Sequence, residues 1–258
     1  MKLVQKLPIG LGLACVMMMT SCSKENAVTP EPAMESTNVH SSLKTNAEED
    51  EVLPFFPTTT DGIVNFNSYP RYWERGITTP NDLTGIPTGT SSLTSLWGQW
   101  YAENKWIKPL APVPSNVTAN SMLTVRSFTS VAAEVNKRSY VFTTIMNLKP
   151  GKTYSATIYV ATTITNRVLN ANTKPVYAKS AEIKLYPYTN SGVVNVNVDL
   201  TGKEAVWVKK TITFTPTKSD AKFWFSGLTK QGDVYSYIHL FVDPNSVKEA
   251  IQVGPVKL

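Results

Sequence analysis

Cysteine and histidine are nearly missing from this chain of 258 residues, with two of each. The cysteines are Cys15 and Cys22, and the histidines are His40 and His239. With no cysteine beyond position 22, no zinc-type ligand cluster can be assembled from thiols, and two distant histidines make no metal-binding pair motif. No Ser-His-Asp arrangement can be argued from spacing, and no glycine-rich phosphate loop is present. Disulfides cannot stabilise the bulk of the chain, so its stability must come from a hydrophobic core. Beyond residue 19 there is no apolar run of the roughly 20 residues that a membrane-spanning helix needs. No window of about 12 residues sustains a period of 3.6, which argues against a helical fold. A glycosidase needs only two carboxylates, and the 19 acidic residues could supply them, but solvated surface acids are the simpler reading. The expectation is a protein that is not an enzyme.

The first residues carry a different signal. Lys2 and Lys6 give a basic start, and Leu7 to Met19 is an apolar stretch too short to span a bilayer. Met19-Thr20-Ser21-Cys22 then resembles the lipobox of bacterial lipoproteins. That resemblance implies cleavage after residue 21, acylation of Cys22 with a diacylglycerol and a further acyl chain such as palmitate, and a stable membrane anchor. Removing residues 1–21 leaves 23 basic and 19 acidic residues, a formal +4. Ser23-Lys24-Glu25 resembles the short export signal of surface lipoproteins in some Gram-negative bacteria, which implies the outer membrane and the cell surface.

The remaining charge is divided. Residues 22–53 hold Lys24 and Lys44 against seven acids, a balance of −5, whereas residues 54–258 hold 21 basic and 12 acidic residues, a balance of +9. The first segment is rich in Ser, Thr, Asn, Glu and Pro and is predicted to be a disordered acidic stalk with a mean reach of roughly 30 Å. In the second segment the lysines are scattered singly, which fits solvent-facing strand positions and gives no nucleic-acid-binding stripe.

From about Ser121 the chain alternates β-branched and aromatic residues with polar ones, broken by turn signals such as Pro150-Gly151, Thr201-Gly202 and Gln231-Gly232. Strands are predicted at Met122–Phe128, Tyr140–Met146, Tyr154–Thr162, Tyr177–Tyr186, Val193–Val198, Val206–Phe214, Lys222–Ser226 and Tyr235–Val242. A short helical turn is expected within Asn245–Ile251. Residues 54–120 read as long loops and peripheral strands, with Ile63–Phe66 the clearest strand, fastened to the core by Tyr72, Trp73, Trp97, Trp100, Tyr101 and Trp106. The fold expected is all-β, an antiparallel β-sandwich of jelly-roll type over residues 54–258. Lys210 shares strand parity with apolar residues, which places it at a bulge or on an edge strand.

Three segments carry a wider resemblance: Asn147–Tyr154 running into the strand to Ala161, Trp207–Thr215 followed by Ala221–Phe225, and Tyr237–Asp243. In this order they resemble the galactose-binding-like β-sandwiches, which include carbohydrate-binding modules. The resemblance implies glycan binding without catalysis. It also implies a candidate structural calcium ligand in Asp243, at the end of the last long strand, with Asn67 the nearest analogue of a partner. The alternative reading of Asp243 is a turn initiator before Pro244.

Sugar rings pack their C–H faces on Trp and Tyr, with polar groups satisfying the hydroxyls. Two aromatic sets are candidate ligand-binding residues: the loop cluster Trp97, Trp100, Tyr101 and Trp106, and the strand pair Trp224 and Tyr237. Trp224 falls opposite Phe223 and Phe225 by parity, and Tyr237, His239 and Phe241 fall opposite Ile238, Leu240 and Val242. The opposing reading makes these rings core and cover. The partners expected are a membrane through Cys22, a polysaccharide or glycan, or an envelope protein in a structural or adhesive role.

Overall fold

The computed structural model describes residues 52–60, 62–66, 68–76, 91–96, 98, 105–115, 119, 121–129, 139–166, 174–189, 192–228 and 234–250. Cys22, the predicted signal segment and the predicted stalk up to residue 51 lie outside them, as do Asn67, Trp97, Trp100 and Tyr101; the last stalk residues, Val52 and Leu53, are described and exposed, with Asn147 Nδ2 donating to the Leu53 carbonyl at 3.2 Å. All of the described residues fall within one compact unit, Glu49–Leu258.

Thirteen strands form two sheets and, among the described residues, no helix is present. They are β1 (Asn65–Phe66), β2 (Glu74–Gly76), β3 (Ser91–Ser95), β4 (Ser121–Thr129), β5 (Ser139–Ile145), β6 (Tyr154–Thr163) and β7 (Lys174–Pro175), then β8 (Ser180–Thr189), β9 (Gly192–Asp199), β10 (Val208–Phe214), β11 (Ala221–Leu228), β12 (Val234–Phe241) and β13 (Val247–Glu249). One sheet runs β1-β3-β4-β12-β6-β10, with β13 beside β6 and β7 beside β12; the other runs β2-β5-β11-β8-β9. Apart from the short β7–β12 pair, the ladders are antiparallel. From β4 to β6, and again from β9 to β12, successive strands alternate between the sheets. This is the sandwich that the alternating pattern predicts.

The core forms where the inward parities meet. Leu123, Val125, Ile158, Val160, Ile238 and Leu240 from the larger sheet face Val141, Ile145, Ile183, Leu185, Phe223 and Phe225 from the smaller one. Trp73 joins them, stacked on Phe56 with its indole N–H donating to the Pro57 and Thr58 carbonyls at 3.1 Å. Tyr154 is buried, and its hydroxyl accepts from Lys149 N at 2.7 Å, closing the turn in which Gly151 takes a φ of +80°. A buried phenol needs such a partner.

Two expectations change, and one left with two alternatives is decided. Over residues 245–250, the described part of Asn245–Ile251, no helical turn forms: the chain turns at Asp243–Ser246 and re-enters the sheet as β13, so ladder bonds to β6 replace helical ones. Tyr72 does not fasten the N-terminal segment; it is 51% exposed with a φ of +69°. The register of β10 on β6 is unbroken from Val208 to Phe214, so Lys210 is accommodated by the edge position of β10 and not by a bulge.

Candidate functional site

Each sheet has one face turned away from the core, and aromatic residues occupy both. On the larger sheet they are covered. Tyr237 is 1% exposed and Trp106 is 3% exposed, their ring centroids 5.1 Å apart. Trp106 also packs on the His239 ring at 5.1 Å and donates its indole N–H to the Ser95 carbonyl at 3.2 Å. Nearby, Val113 and half-buried Trp207 close over Tyr159 and Phe241, with Trp207 Nε1 donating to the Ala111 carbonyl at 2.9 Å. The segment around residues 106–113 thus makes a second, smaller core on this face.

His239 belongs to that core. Its Nδ1 lies 2.8 Å from Thr124 Oγ1 and its Nε2 lies 2.6 Å from Thr163 Oγ1. A neutral imidazole has one N–H and one acceptor nitrogen, and two hydroxyls that can each donate or accept satisfy both. Burial without a counter-charge pushes its pKa down to about 3. It is a satisfied core histidine.

The outer face of the smaller sheet is arranged differently. Trp224 on β11 stands among Tyr140 and Phe142 of β5 and Tyr186 of β8. The Tyr140 ring lies parallel to the indole at 4.7 Å with an interplanar angle of 9°, Phe142 lies at 5.7 Å and 27°, and Tyr186 at 5.6 Å and 57°. All four are half-buried, and among the described residues no further element covers them. Strand parity explains the set: Phe223 and Phe225 enter the core, so Trp224 points outward, and the register places it beside Phe142 and Lys184. Gly76 contributes by having no side chain. A Cβ there would fall 1.6 Å from the Tyr140 ring, so glycine is what allows that ring to lie across β2.

Polar groups surround the rings. Lys222 Nζ lies 5.4 Å from the Phe142 centroid, a cation–π distance. Lys184 and Glu182 pair at 3.7 Å. Exposed Asn195 and Asn197 of edge strand β9 lie opposite Lys184 and Glu182 in the register. Among the described residues, Trp224 Nε1 is buried without a hydrogen-bond partner. Half-buried aromatic rings with amides, ammoniums and a carboxylate at their rim, and no described element over them, have the composition that ligand-binding surfaces use.

The structure therefore separates the residues that the sequence grouped. Trp224 lies on the open face and Tyr237 on the covered face of the other sheet, so they form no common platform. Trp106 acts as cover. Tyr140, Phe142 and Tyr186 were missed as site residues; their signal was a parity shared with Trp224 across pairing strands, which is visible only once the pairing is known.

Asp243 initiates a turn. Its Oδ1 accepts from Asn245 N at 2.8 Å and lies 3.4 Å from Ser246 Oγ, while its own N–H donates to Ser246 Oγ at 2.9 Å. Among the described residues, no cluster of three or more His, Cys, Asp and Glu side chains forms around it or elsewhere. These contacts of Asp243 are those of a turn initiator, and among the described residues they supply no ligand set for calcium, which needs six to eight oxygens.

No protein-family model matches the chain, and no curated protein does. Among solved structures, it is similar to the enzymatically active domain of a bacteriophage CBA120 tailspike protein (TM-score 0.40, 11% identity, 66% of this chain and 18% of that one). It is similar to a cleaved adhesin domain of Lys-gingipain from Porphyromonas gingivalis (TM-score 0.38, 17% identity, 77% of this chain and 98% of that one). It is also similar to a family 16 carbohydrate-binding module (TM-score 0.30, 15% identity, 56% of this chain and 86% of that one). Such scores leave function to be argued from the chain's own residues.

Proposed function

We propose that this chain is a lipid-anchored cell-envelope protein, displayed at the outer-membrane surface, that binds carbohydrate without cleaving it through the aromatic cluster around Trp224. The observation that carries the reading is that cluster: four half-buried rings on a sheet face that no other described element covers, rimmed by Asn195, Asn197, Lys184, Lys222 and Glu182. The rings offer apolar surface to sugar C–H groups, and the rim offers donors and acceptors to hydroxyls. The anchor rests on Met19-Thr20-Ser21-Cys22, and the acidic segment 22–53 supplies the reach from a membrane.

Two experiments test the two halves of this proposal. Cys22→Ser should move the protein from the detergent-requiring fraction to the soluble one and abolish labelling by fatty-acid analogues; retention with unchanged labelling contradicts the anchor. A glycan array probed with the full chain should light up a family of related saccharides. A blank array for a folded protein contradicts the binding reading and leaves a structural or adhesive role in its place.

A further inference from the structure

The larger sheet has a feature that the proposed function leaves unused. Phe241 of β12 pairs with Tyr159 of β6, and Val247 of β13 pairs with Ala156. Between these pairs, five residues (242–246) oppose two (157 and 158), and the excess is expelled as the Asp243–Ser246 turn. Thr157 N donates to Ser246 O at 2.7 Å, fixing the base of this bulge. Bulges re-aim side chains and open sheets locally. Here the result is a groove of about 410 Å³ on the outer face, within the range of small-ligand sites.

Its floor is polar. Ser155, Thr157 and Tyr159 of β6 present hydroxyls outward because Tyr154, Ala156, Ile158 and Val160 take the core parity. Burial and then the Asp243 carboxylate raise the Tyr159 pKa, so this phenol stays protonated and can donate a hydrogen bond. Two lysines close the groove from opposite flanks: Lys209 of β10, opposite Tyr159, and Lys248 of β13, opposite Ser155. Sheet geometry puts their backbones roughly 16 Å apart on the diagonal, a gap that side chains of this length narrow from both ends. Among the described residues, neither lysine has an ion-pair partner. The nearby Glu249 carboxylate is taken by Lys152 at 3.1 Å, and the one carboxylate that lines the groove, Asp243, accepts from Asn245 N, leaving two ammoniums against one carboxylate.

We propose that this groove is a second binding site, for an acidic saccharide unit bearing a carboxylate or sulfate. Two uncommitted ammoniums supply the charge for the anionic group, and the Ser155, Thr157 and Asn245 side chains supply hydrogen bonds for ring hydroxyls. A diffuse electrostatic patch for a lipid surface would need neither the depth nor the hydroxyl floor. The site is on the sheet opposite Trp224, so its occupancy does not depend on the aromatic cluster.

Affinity electrophoresis of the full chain in mild detergent tests this, through gels containing polygalacturonate, uncharged galactan, or no polysaccharide, at low and at physiological salt. Wild-type protein should be retarded by polygalacturonate. Lys209→Ala/Lys248→Ala should weaken that retardation about tenfold or more, and Lys209→Arg/Lys248→Arg should keep most of it. Lys179→Ala/Lys203→Ala, which removes the same charge from positions outside the groove, should leave it unchanged. Lys209→Ala/Lys248→Ala should leave retardation by uncharged galactan as it is in the wild type, which separates this site from the one proposed above. No retardation of the wild type, or equal losses in the two double-alanine variants, overturns the proposal. So does binding to phosphatidylglycerol vesicles that is lost with Lys209 and Lys248 while polygalacturonate binding persists.

Discussion

The outward faces of the two sheets start from the same sequence pattern and end as different kinds of surface. On β12, Tyr237 and His239 alternate with Ile238 and Leu240, and on β11 Trp224 alternates with Phe223 and Phe225. Both strands therefore send aromatic or heteroaromatic rings away from the main core. Over β12 the chain returns, setting Trp106 on Tyr237 and His239 and making a second apolar layer. Over β11, among the described residues, nothing does so, and Trp224 gathers Tyr140, Phe142 and Tyr186 instead. Strand parity decides which way a ring points. Whether it becomes core or surface depends on where a distant segment packs.

This contrast predicts opposite mutational behaviour. Trp106→Ala removes the cover, and truncation of a buried Trp typically costs about 3–5 kcal/mol. Chemical denaturation should show a loss of that size; a loss under 1 kcal/mol would mean the cover is not part of the folding unit. The covered face should also be the acid-sensitive one. His239 has a folded pKa of about 3 against an ordinary 6.5, so below pH 6.5 the unfolded chain binds a proton that the folded one does not. Stability should fall by about 1.4 kcal/mol per pH unit as the pH drops from 6.5 towards 3. At pH 4 the loss reaches about 3 kcal/mol. In His239→Gln this component of the slope should vanish when unfolding is followed from pH 7 to pH 4; an unchanged slope would place the acid sensitivity elsewhere.

Most of the strand layout was legible in the sequence because antiparallel strands with one face on a core must alternate. The eight strands expected from Met122 onwards match β4, β5, β6 and β8 to β12 closely, and the face assignments of Tyr154, Ala156, Ile158, Phe223 and Phe225 follow directly. The site was half legible. Trp224 could be named and placed on an outward face, but its companions come from β5 and β8, and pairing order is a long-range property with no local signature. Tyr237 carried the same local signal as Trp224 and differs only in lying beneath Trp106. The β13 segment read as a helical turn because its three strand residues are too few to establish a period of two.

A smaller effect sharpens the open face. Gly76→Ala places a methyl where the Tyr140 ring lies. The ring can swing outward, so the stability cost should be about 1 kcal/mol or slightly more, while glycan affinity falls several-fold because the Tyr140–Trp224 stack is opened. Unchanged affinity would remove Tyr140 from the site.

The most direct measurement pairs retention on an uncharged polysaccharide that the wild type binds with thermal midpoint in Trp224→Ala and Trp106→Ala. The account predicts that Trp224→Ala abolishes retention while losing only about 1–2 kcal/mol, as befits a half-buried ring in aromatic contact. Trp106→Ala should lose several kcal/mol yet retain polysaccharide below its lowered midpoint. Full retention by a folded Trp224→Ala variant would contradict the assignment of carbohydrate binding to this face.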